Sequence, residues 1–245
     1  MLLAIDTSSA CMGLALYDGT SVPGELSWRS SLQHTRELAP ALAGLLEKVG
    51  IKIDAIHAVG VALGPGSFTS LRVGLAFTKG LVLSRHLPAV GIPTLDIVAA
   101  AVPFPYHPGW SGVSEPAPEQ GEAGIPEPPH RLAALVRAGR GRLAVGWYIP
   151  GEKGWTADGP AQVMSADELA EDIHKPVIIC GEMSADERQR LARKFKNVSL
   201  ATPAQCVRRP AILAELAWRR WQDGKIDLTS SLAPIYIHTV GDLPA

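Results

Sequence analysis

The sequence predicts an α/β fold built from two unequal halves, each a mixed sheet covered by helices. Two observations carry this expectation. The first hundred residues read as a three-strand meander followed by helix–strand alternation, which calls for a mixed sheet with helices on its faces. A stretch dense in Pro, Gly, Glu and Ser, residues 103–130, then breaks the chain, and a shorter set of strands and helices follows it.

The elements justify themselves in order. Leu2–Ile5 is an apolar run ending in Asp6, and Thr7-Ser8-Ser9-Ala10 is turn material. Met12–Tyr17 is a second run closed by Asp18-Gly19, a strong hairpin signal, and Glu25–Ser30 returns as a third strand. Leu38, Leu42, Leu45, Leu46 and Val49 then form one stripe at helical period. Thr35 is the expected N-cap of that helix and Gly50 its stop, with a kink expected at Pro40. Ala55–Leu63 is continuously apolar, as a strand buried on both faces requires. Gly64-Pro65-Gly66-Ser67 ends it, and a second helix capped by Ser67 is expected over Phe68–Arg85. Ala89–Ile92 reads as a strand, and Pro93 as the first position of a short helix reaching Ala101. The order β-β-β-α-β-α-β-α is that of a ribonuclease H-like half-domain, the unit that actin-like proteins use twice.

The second half is a degenerate version of the first. Strands are expected at Leu132–Val136, Leu143–Ile149, Val177–Cys180 and Val198–Leu200, and helices at Asp167–Ile173 and Ala185–Lys196. The boundaries that follow are 1–102 for the first unit, 103–130 for a linker insert and 131–208 for the smaller second unit. A late helix, about 209–223, is expected to pack back on the first unit, and 224–245 is a tail in which Ile235-Tyr236-Ile237 reads as a short strand or docked segment.

Composition narrows the function. The chain has 245 residues, enough to bury a large core without staples, and a net charge of -1 gives it no global basic field for nucleic acid. Three cysteines, Cys11, Cys180 and Cys206, show no zinc or redox spacing and suit free thiols in a reducing cytoplasm. The N-terminus lacks a basic segment and is interrupted by Asp6, so it does not read as a secretion signal, and no apolar run has the length of a membrane helix.

Two loops could carry chemistry. Asp6-Thr7-Ser8 ends a strand, where a carboxylate and hydroxyls could hold a magnesium–phosphate group or simply form a turn. Gly64, Gly66 and Ser67 join a buried strand to a helix N-terminus, which is either a nucleotide or anion site or a tight capped turn. No Walker loop, nucleophile elbow or helical His pair occurs, so no catalytic residue and no metal ligand is assigned. The basic runs Arg137–Arg142 and Arg188–Lys196 read as solvated faces.

These residues resemble the TsaB (YeaZ) family. Leu3-Ala4-Ile5-Asp6-Thr7-Ser8, His34-Thr35, the stretch Gly64–Gly74, Gly91-Ile92-Pro93-Thr94-Leu95 and Pro234-Ile235-Tyr236-Ile237 carry the likeness, which is strong over Leu2–Ala101 and weak beyond it. The resemblance implies an actin-like fold and a role in synthesis of threonylcarbamoyladenosine in tRNA. It implies a non-catalytic subunit that binds the catalytic homologue TsaD, with the ATPase TsaE joining the pair and tRNA met only through the complex. TsaD holds a metal with two histidines spaced H-x-x-x-H, whereas Leu81–Ala101 here carries only His86. The family's D-A-R-like start to the second unit is replaced by Arg137-Ala138-Gly139.

A partner interface is expected on the first two helices, at His34, Leu38, Leu42, Leu45, Leu46, Arg72, Gly74, Leu75 and Thr78, because a stripe of apolar and small residues suits close helix packing. The isolated chain is expected to pair with itself through the same patch. No cofactor is expected to bind this chain strongly by itself, and ATP or ADP is expected, if anywhere, at the subunit interface. The alternatives are a free-standing actin-fold ATPase or small-molecule kinase using Asp6 and the Gly64–Ser67 loop, or a metallopeptidase-like protein.

Overall fold

The computed structural model describes residues 1–30, 33–103, 131–139, 141–152, 154–194 and 196–237. The insert expected at 103–130 lies, beyond Pro103, outside the described residues.

The first half is a five-stranded sheet in the order β3-β2-β1-β4-β5. β1 (Leu2–Asp6), β2 (Cys11–Tyr17) and β3 (Gly24–Arg29) form the antiparallel meander. β4 (Ala58–Gly64) and β5 (Ala89–Pro93) join β1 in parallel. The β2–β3 connection is held by Asp18, whose Oδ1 accepts from the backbone N–H groups of Thr20 (2.8 Å) and Ser21 (2.7 Å) while Gly19 takes φ 100°. Those donors, with the two hydroxyls beside them, hold the Asp18 carboxyl well below the usual carboxylate range.

The leucine stripe decides which face of the sheet is covered by what. α1 (His34–Val49) turns Leu38, Leu42, Leu45 and Leu46 onto Leu3, Ile5, Leu14 and Leu16, with α2 (Phe68–Arg85) beside it. Each leucine so buried contributes roughly 1.5–3 kcal/mol. The opposite face carries smaller side chains, Ala4, Ala15, Ala58 and Ala62, and there α6 (Pro210–Gln222) lies close, through Leu213, Ala214 and Ala217. Gly60 makes that approach necessary: a Cβ on it would stand 2.6 Å from the Cβ of Ala217. The C-terminal helix therefore belongs spatially to the first sheet.

The second half repeats the plan. β6 (Leu132–Gly139), β7 (Arg142–Gly151) and β8 (Gly154–Ala157) form a meander, and β10 (Val177–Gly181) and β11 (Val198–Leu200) add in parallel beside β6. The order β8-β7-β6-β10-β11 is that of the first sheet, with β9 (Gln162–Met164) pairing on β7. α4 (Ala166–Asp172) and α5 (Ala185–Ala192) cover one face, each opened by a Ser–Glu capping box, Ser165/Glu168 and Ser184/Glu187. The other face receives α3 (Thr94–Ala100) through Leu95, Val98 and Ala99. The layers thus run α1/α2, first sheet, α6 and α3, second sheet, α4/α5.

The structure corrects several local expectations. Thr35 lies inside the first turn of α1, whose N-cap is Gln33 and has no side-chain cap. Ser67 is the N-cap residue of α2, but its hydroxyl accepts from Ser70 Oγ (2.9 Å) rather than from the helix backbone. Pro93 ends β5 and precedes α3 instead of opening it. α5 stops at Ala192, where Arg193 N bonds Arg190 O (3.2 Å) and Lys194 N bonds Leu191 O (3.1 Å), the i to i−3 pattern that tightens a helix end. β8 and β9 were not foreseen; each is too short for its alternation to stand out. Ile235–Ile237 adds no strand and is docked instead, with Ile235 N donating to Leu63 O (2.7 Å).

Candidate functional site

A cleft of about 1080 Å³ opens between the two halves. One wall is the Pro65–Ser70 turn and the start of α2, and the other is the β6–β7 hairpin, Gly181–Ala185 and the loop reaching Cys206. Both α2 and α5 begin at this cleft, so both present N-terminal N–H groups to it.

Beneath the cleft, one arginine binds the halves together. Arg208, just before α6, has a side chain 3% exposed, and its Nε donates to Asp6 Oδ2 (2.8 Å). Its Nη1 pairs with Glu182 Oε1, at the end of β10. Its Nη2 donates to Ser9 Oγ (2.9 Å) and to the carbonyl of Cys11 (3.2 Å). Burial disfavours the guanidinium charge, but Asp6 and Glu182 outweigh it and hold the group more firmly protonated than usual. Ser9 Oγ donates in turn to Glu182 Oε1 (2.7 Å), so the first sheet, the second sheet and α6 meet in one network.

Every expected nucleotide-site residue has a place relative to this network. Asp6 is 2% exposed and spends both oxygens internally: Oδ2 on Arg208, and Oδ1 on the backbone N–H (2.8 Å) and hydroxyl (2.5 Å) of Ser8. It does not line the cleft, and neither do Thr7, Ser8 or Gly64. Thr7 Oγ1 donates to Ser70 O (2.9 Å), and Gly64 N donates to Thr94 Oγ1 (3.0 Å). Only Gly66 and Ser67 face the cleft. Gly66 is glycine because its backbone rests on the β1–β2 turn, where an added Cβ would meet Ser8 O at 2.0 Å. In this structure the Asp6 carboxylate is thus engaged by the Ser8 turn and the Arg208 ion pair.

The expected partner interface needs a larger correction. His34, Leu38, Leu42, Leu45, Leu46, Gly74, Leu75 and Thr78 are all buried within the chain. His34 Nε2 hydrogen-bonds Ser9 O (3.1 Å). Gly74 admits Thr7, not a partner: a Cβ there would stand 2.1 Å from Thr7 Oγ1. The stripe is the seam onto the chain's own sheet, because the sheet's large aliphatic side chains had to be covered from that side. Of the nine residues, Arg72 alone is exposed.

What these helices expose is a groove of about 500 Å³ between α1 and α2, lined by Thr35, Phe68, Thr69, Arg72, Val73, Ala76 and Phe77 with Leu38 at its base. Phe68 is 51% exposed, with the Arg72 guanidinium 3.8 Å above its ring. Tyr236 stacks on the same ring at 5.2 Å, and its hydroxyl accepts from Arg72 Nε (3.4 Å). Phe68 thus forms the ridge between groove and cleft, tied to the docked tail.

The first half also carries the sequence similarity. Over 100 residues the chain is 37% identical to a protein of Escherichia coli described as tRNA threonylcarbamoyladenosine biosynthesis protein TsaB, covering 40% of this chain and 42% of that one. Over 108 residues it is 36% identical to the Haemophilus influenzae protein of the same description, covering 43% of this chain and 44% of the relative. Over its first half the chain is therefore similar to TsaB proteins. Residues 28–112 match the profile of the TsaD family, tRNA N6-adenosine threonylcarbamoyltransferase. The sequence match spans less than half the length of these curated TsaB relatives. The fold likeness is wider: YeaZ from Pseudomonas aeruginosa superposes with a TM-score of 0.70 over 96% of this chain and 99% of its own, at 20% identity. The TsaB/YeaZ architecture therefore extends through the second half, where sequence likeness has faded.

Among the described residues no cluster of His, Cys, Asp or Glu has the makings of a metal site. Among the same residues no helix is long and apolar enough to cross a membrane.

Proposed function

We propose that this chain is a non-catalytic subunit for synthesis of N6-threonylcarbamoyladenosine in tRNA, docking a TsaD-type catalytic subunit with its first half. The observation that carries the non-catalytic part is the Asp6–Arg208–Glu182 network. A free-standing kinase or ATPase of this fold needs a cleft carboxylate for a metal-bound phosphate, and Asp6 is consumed by Arg208 and Ser8. Support for the pathway comes from the TsaB relatives, proteins of threonylcarbamoyladenosine biosynthesis whose similarity to this chain lies in the first half.

The docking surface is the α1/α2 groove and its rim, not the buried leucines. Thr35, Ala39, Ala43 and Ala76 are exposed and small, so a partner helix can approach closely, and Phe68 and Arg72 supply an aromatic and a cationic anchor at the edge. A stable complex would bury roughly 1,200–2,000 Å² there. Self-pairing of the isolated chain would use the same face. TsaE joins the TsaD-bound pair, any ATP or ADP sits where subunits meet, and tRNA is gripped by the complex, since a net charge of -1 gives this chain no field of its own. The site of action is the cytoplasm, where the tRNA substrate is.

The test is reconstitution of tRNA threonylcarbamoylation from TsaD, TsaE and an activated threonylcarbamoyl donor, with and without this chain. Modification that depends on the chain, together with no ATP hydrolysis and no tRNA modification by the chain alone, is the expected result. Modification that proceeds equally without it removes the proposed role.

A further inference from the structure

The cysteines lie apart in sequence but not in space. Cys180, on the last turn-out of β10, is fully buried, and Cys206 lines the cleft from the loop before α6. The Gln205 carbonyl that accepts from Cys180 Sγ belongs to the residue next to Cys206, so the loop brings the two thiols beside each other. The chain around them is fixed: Cys180 Sγ lies 3.5 Å from Gln205 O, and Cys206 Sγ lies 3.6 Å from Ala201 O. The guanidinium of Arg188, on α5, stands 3.7 Å from Cys206 Sγ. A cation beside one thiol, a second thiol behind it and an open approach from the cleft are the parts of an oxidisable pair.

We propose that Cys206 and Cys180 form a redox-sensitive dithiol on the cleft wall, oxidised by hydrogen peroxide, with Cys206 as the attacking sulfur and Cys180 as the resolving one. The Cys206 thiolate attacks one peroxide oxygen; an S–O bond forms, the O–O bond breaks, and the departing hydroxide leaves as water after taking a proton. Cys180 sulfur then attacks the sulfenic sulfur, the S–S bond forms, and the hydroxyl leaves as a second water with the Cys180 proton. Two thiols and one peroxide give one disulfide and two waters, the peroxide receiving the two electrons.

The electrostatics assign the roles. The Cys180 thiol, the Gly181 N–H and Arg188 together bring Cys206 down to about 6 despite its partial burial. The neighbouring Cys206 and its own burial push the Cys180 thiol up, so it stays protonated until its partner is oxidised. At pH 6 about half of Cys206 is then thiolate, against about 0.3% of an ordinary cysteine. The lower basicity gives back roughly a factor of ten in nucleophilicity, leaving Cys206 about tenfold faster than a cysteine peptide. Because Cys206 is two residues from Arg208, the disulfide would tie the loop that delivers that arginine to β10 of the second sheet.

The experiment treats the full-length chain with hydrogen peroxide at pH 6, blocks the remaining thiols with a maleimide, and maps peptides by mass spectrometry. Expected are a loss of two hydrogens in mass, a Cys180–Cys206 cross-linked peptide, and a rate about tenfold above that of a cysteine peptide. Cys206→Ser should abolish the cross-link, Cys180→Ser should leave a Cys206 sulfenic acid trapped by dimedone, and Cys11→Ser should change neither. Circular dichroism confirms that each variant is folded, with Cys180→Ala in reserve for Cys180→Ser. Cys206 reacting no faster than the peptide, or oxidation that stops at Cys206 with Cys180 still alkylatable after unfolding, overturns the proposal.

Discussion

Arg208→Met removes the guanidinium that joins the halves and keeps most of the side-chain volume. Left behind are Asp6, 2% exposed, and Glu182, whose side chain is 18% exposed, with no cation between them. Breaking a buried pair by deleting one partner costs about 3–5 kcal/mol, because the surviving charge stays desolvated. Here two carboxylates survive, so the loss should sit in that range despite the apolar contacts that methionine keeps. The control is Arg219→Met, since the Arg219–Glu215 pair is 58% and 46% exposed and such surface pairs contribute at most about 1 kcal/mol. Urea unfolding followed by tryptophan fluorescence and far-UV circular dichroism measures both. With a slope of about 3 kcal/mol/M, Arg208→Met should move the midpoint down by about 1–1.7 M, and the control by no more than about 0.3 M. Adding Asp6→Asn should recover part of the loss, as expected when the penalty is an unpaired charge. A shift for Arg208→Met no larger than that of the control would refute the reasoning, and with it the argument that Asp6 is unavailable to a ligand.

Three further outcomes follow from single contacts. Gly74→Ala should cost about 1–3 kcal/mol, since its Cβ would stand 2.1 Å from Thr7 Oγ1, whereas Gly80→Ala on the same helix, with nothing within 4 Å, should stabilise by about 0.5–1 kcal/mol; thermal unfolding distinguishes them. Leu42→Asp should unfold the isolated chain, while Ala76→Asp, on the exposed groove, should change stability by about 0.5 kcal/mol or less and weaken TsaD capture at least tenfold; equal binding by the folded Ala76→Asp protein would move the interface elsewhere. Tyr148→Phe should cost about 1.5–3 kcal/mol at pH 7, because Tyr148 Oη donates to Asp96 Oδ1 (2.6 Å). Burial raises the Asp96 carboxyl above its ordinary value, so the folded state holds a proton that the unfolded state has released, and stability falls as pH rises through that window. The Tyr148→Phe penalty should therefore shrink as the pH is lowered and Asp96 takes up its proton; a penalty constant across the acid range in which the protein stays folded would refute this.

The reason some of this was legible in the sequence, and some not, is one of range. Local signals sufficed where the elements are punctuated: α2 begins at Phe68 after the Gly64–Ser67 loop and ends at Arg85, and Gly50 closes α1 in the left-handed conformation at φ 73°. The leucine stripe of α1 fixed the helix but not its neighbour, since the same period serves a sheet or a partner, and only the bulk of Leu3, Ile5, Leu14 and Leu16 below it decides. Gly74 likewise reads as a close-approach residue without saying that Thr7 is what approaches. Arg208 was invisible: it sits among Val207, Arg209 and Pro210 with no local signature, and its partner Asp6 is 202 residues away. The Cys180–Cys206 pair was hidden for the same reason, because 25 intervening residues match no known spacing and only the packing of β10 on the loop before α6 brings them together.

Under the proposed non-catalytic role, these long-range contacts also account for how the cleft keeps its shape with no phosphate ligand bridging it. In an open two-lobed α/β protein, the lobes move against each other unless something bridges the gap. A ligand with its metal does this in an enzyme, gripping both lobes and being released. Here Arg208 does it permanently, with one carboxylate from each lobe and a backbone carbonyl from β2, and α6 follows at once to lock the arginine onto the first sheet. The positive charge that bridges the lobes is covalent, so it neither needs a nucleotide nor leaves with one. A fixed angle between lobes is of little use for turnover, which requires opening and closing. It suits a chain whose task is to present a rigid face, because a preorganised α1/α2 surface avoids the entropic cost of ordering on contact. Arg208→Met should then weaken TsaD binding even though Arg208 lies outside the groove, and Asp6→Asn in the same chain should restore binding and stability together.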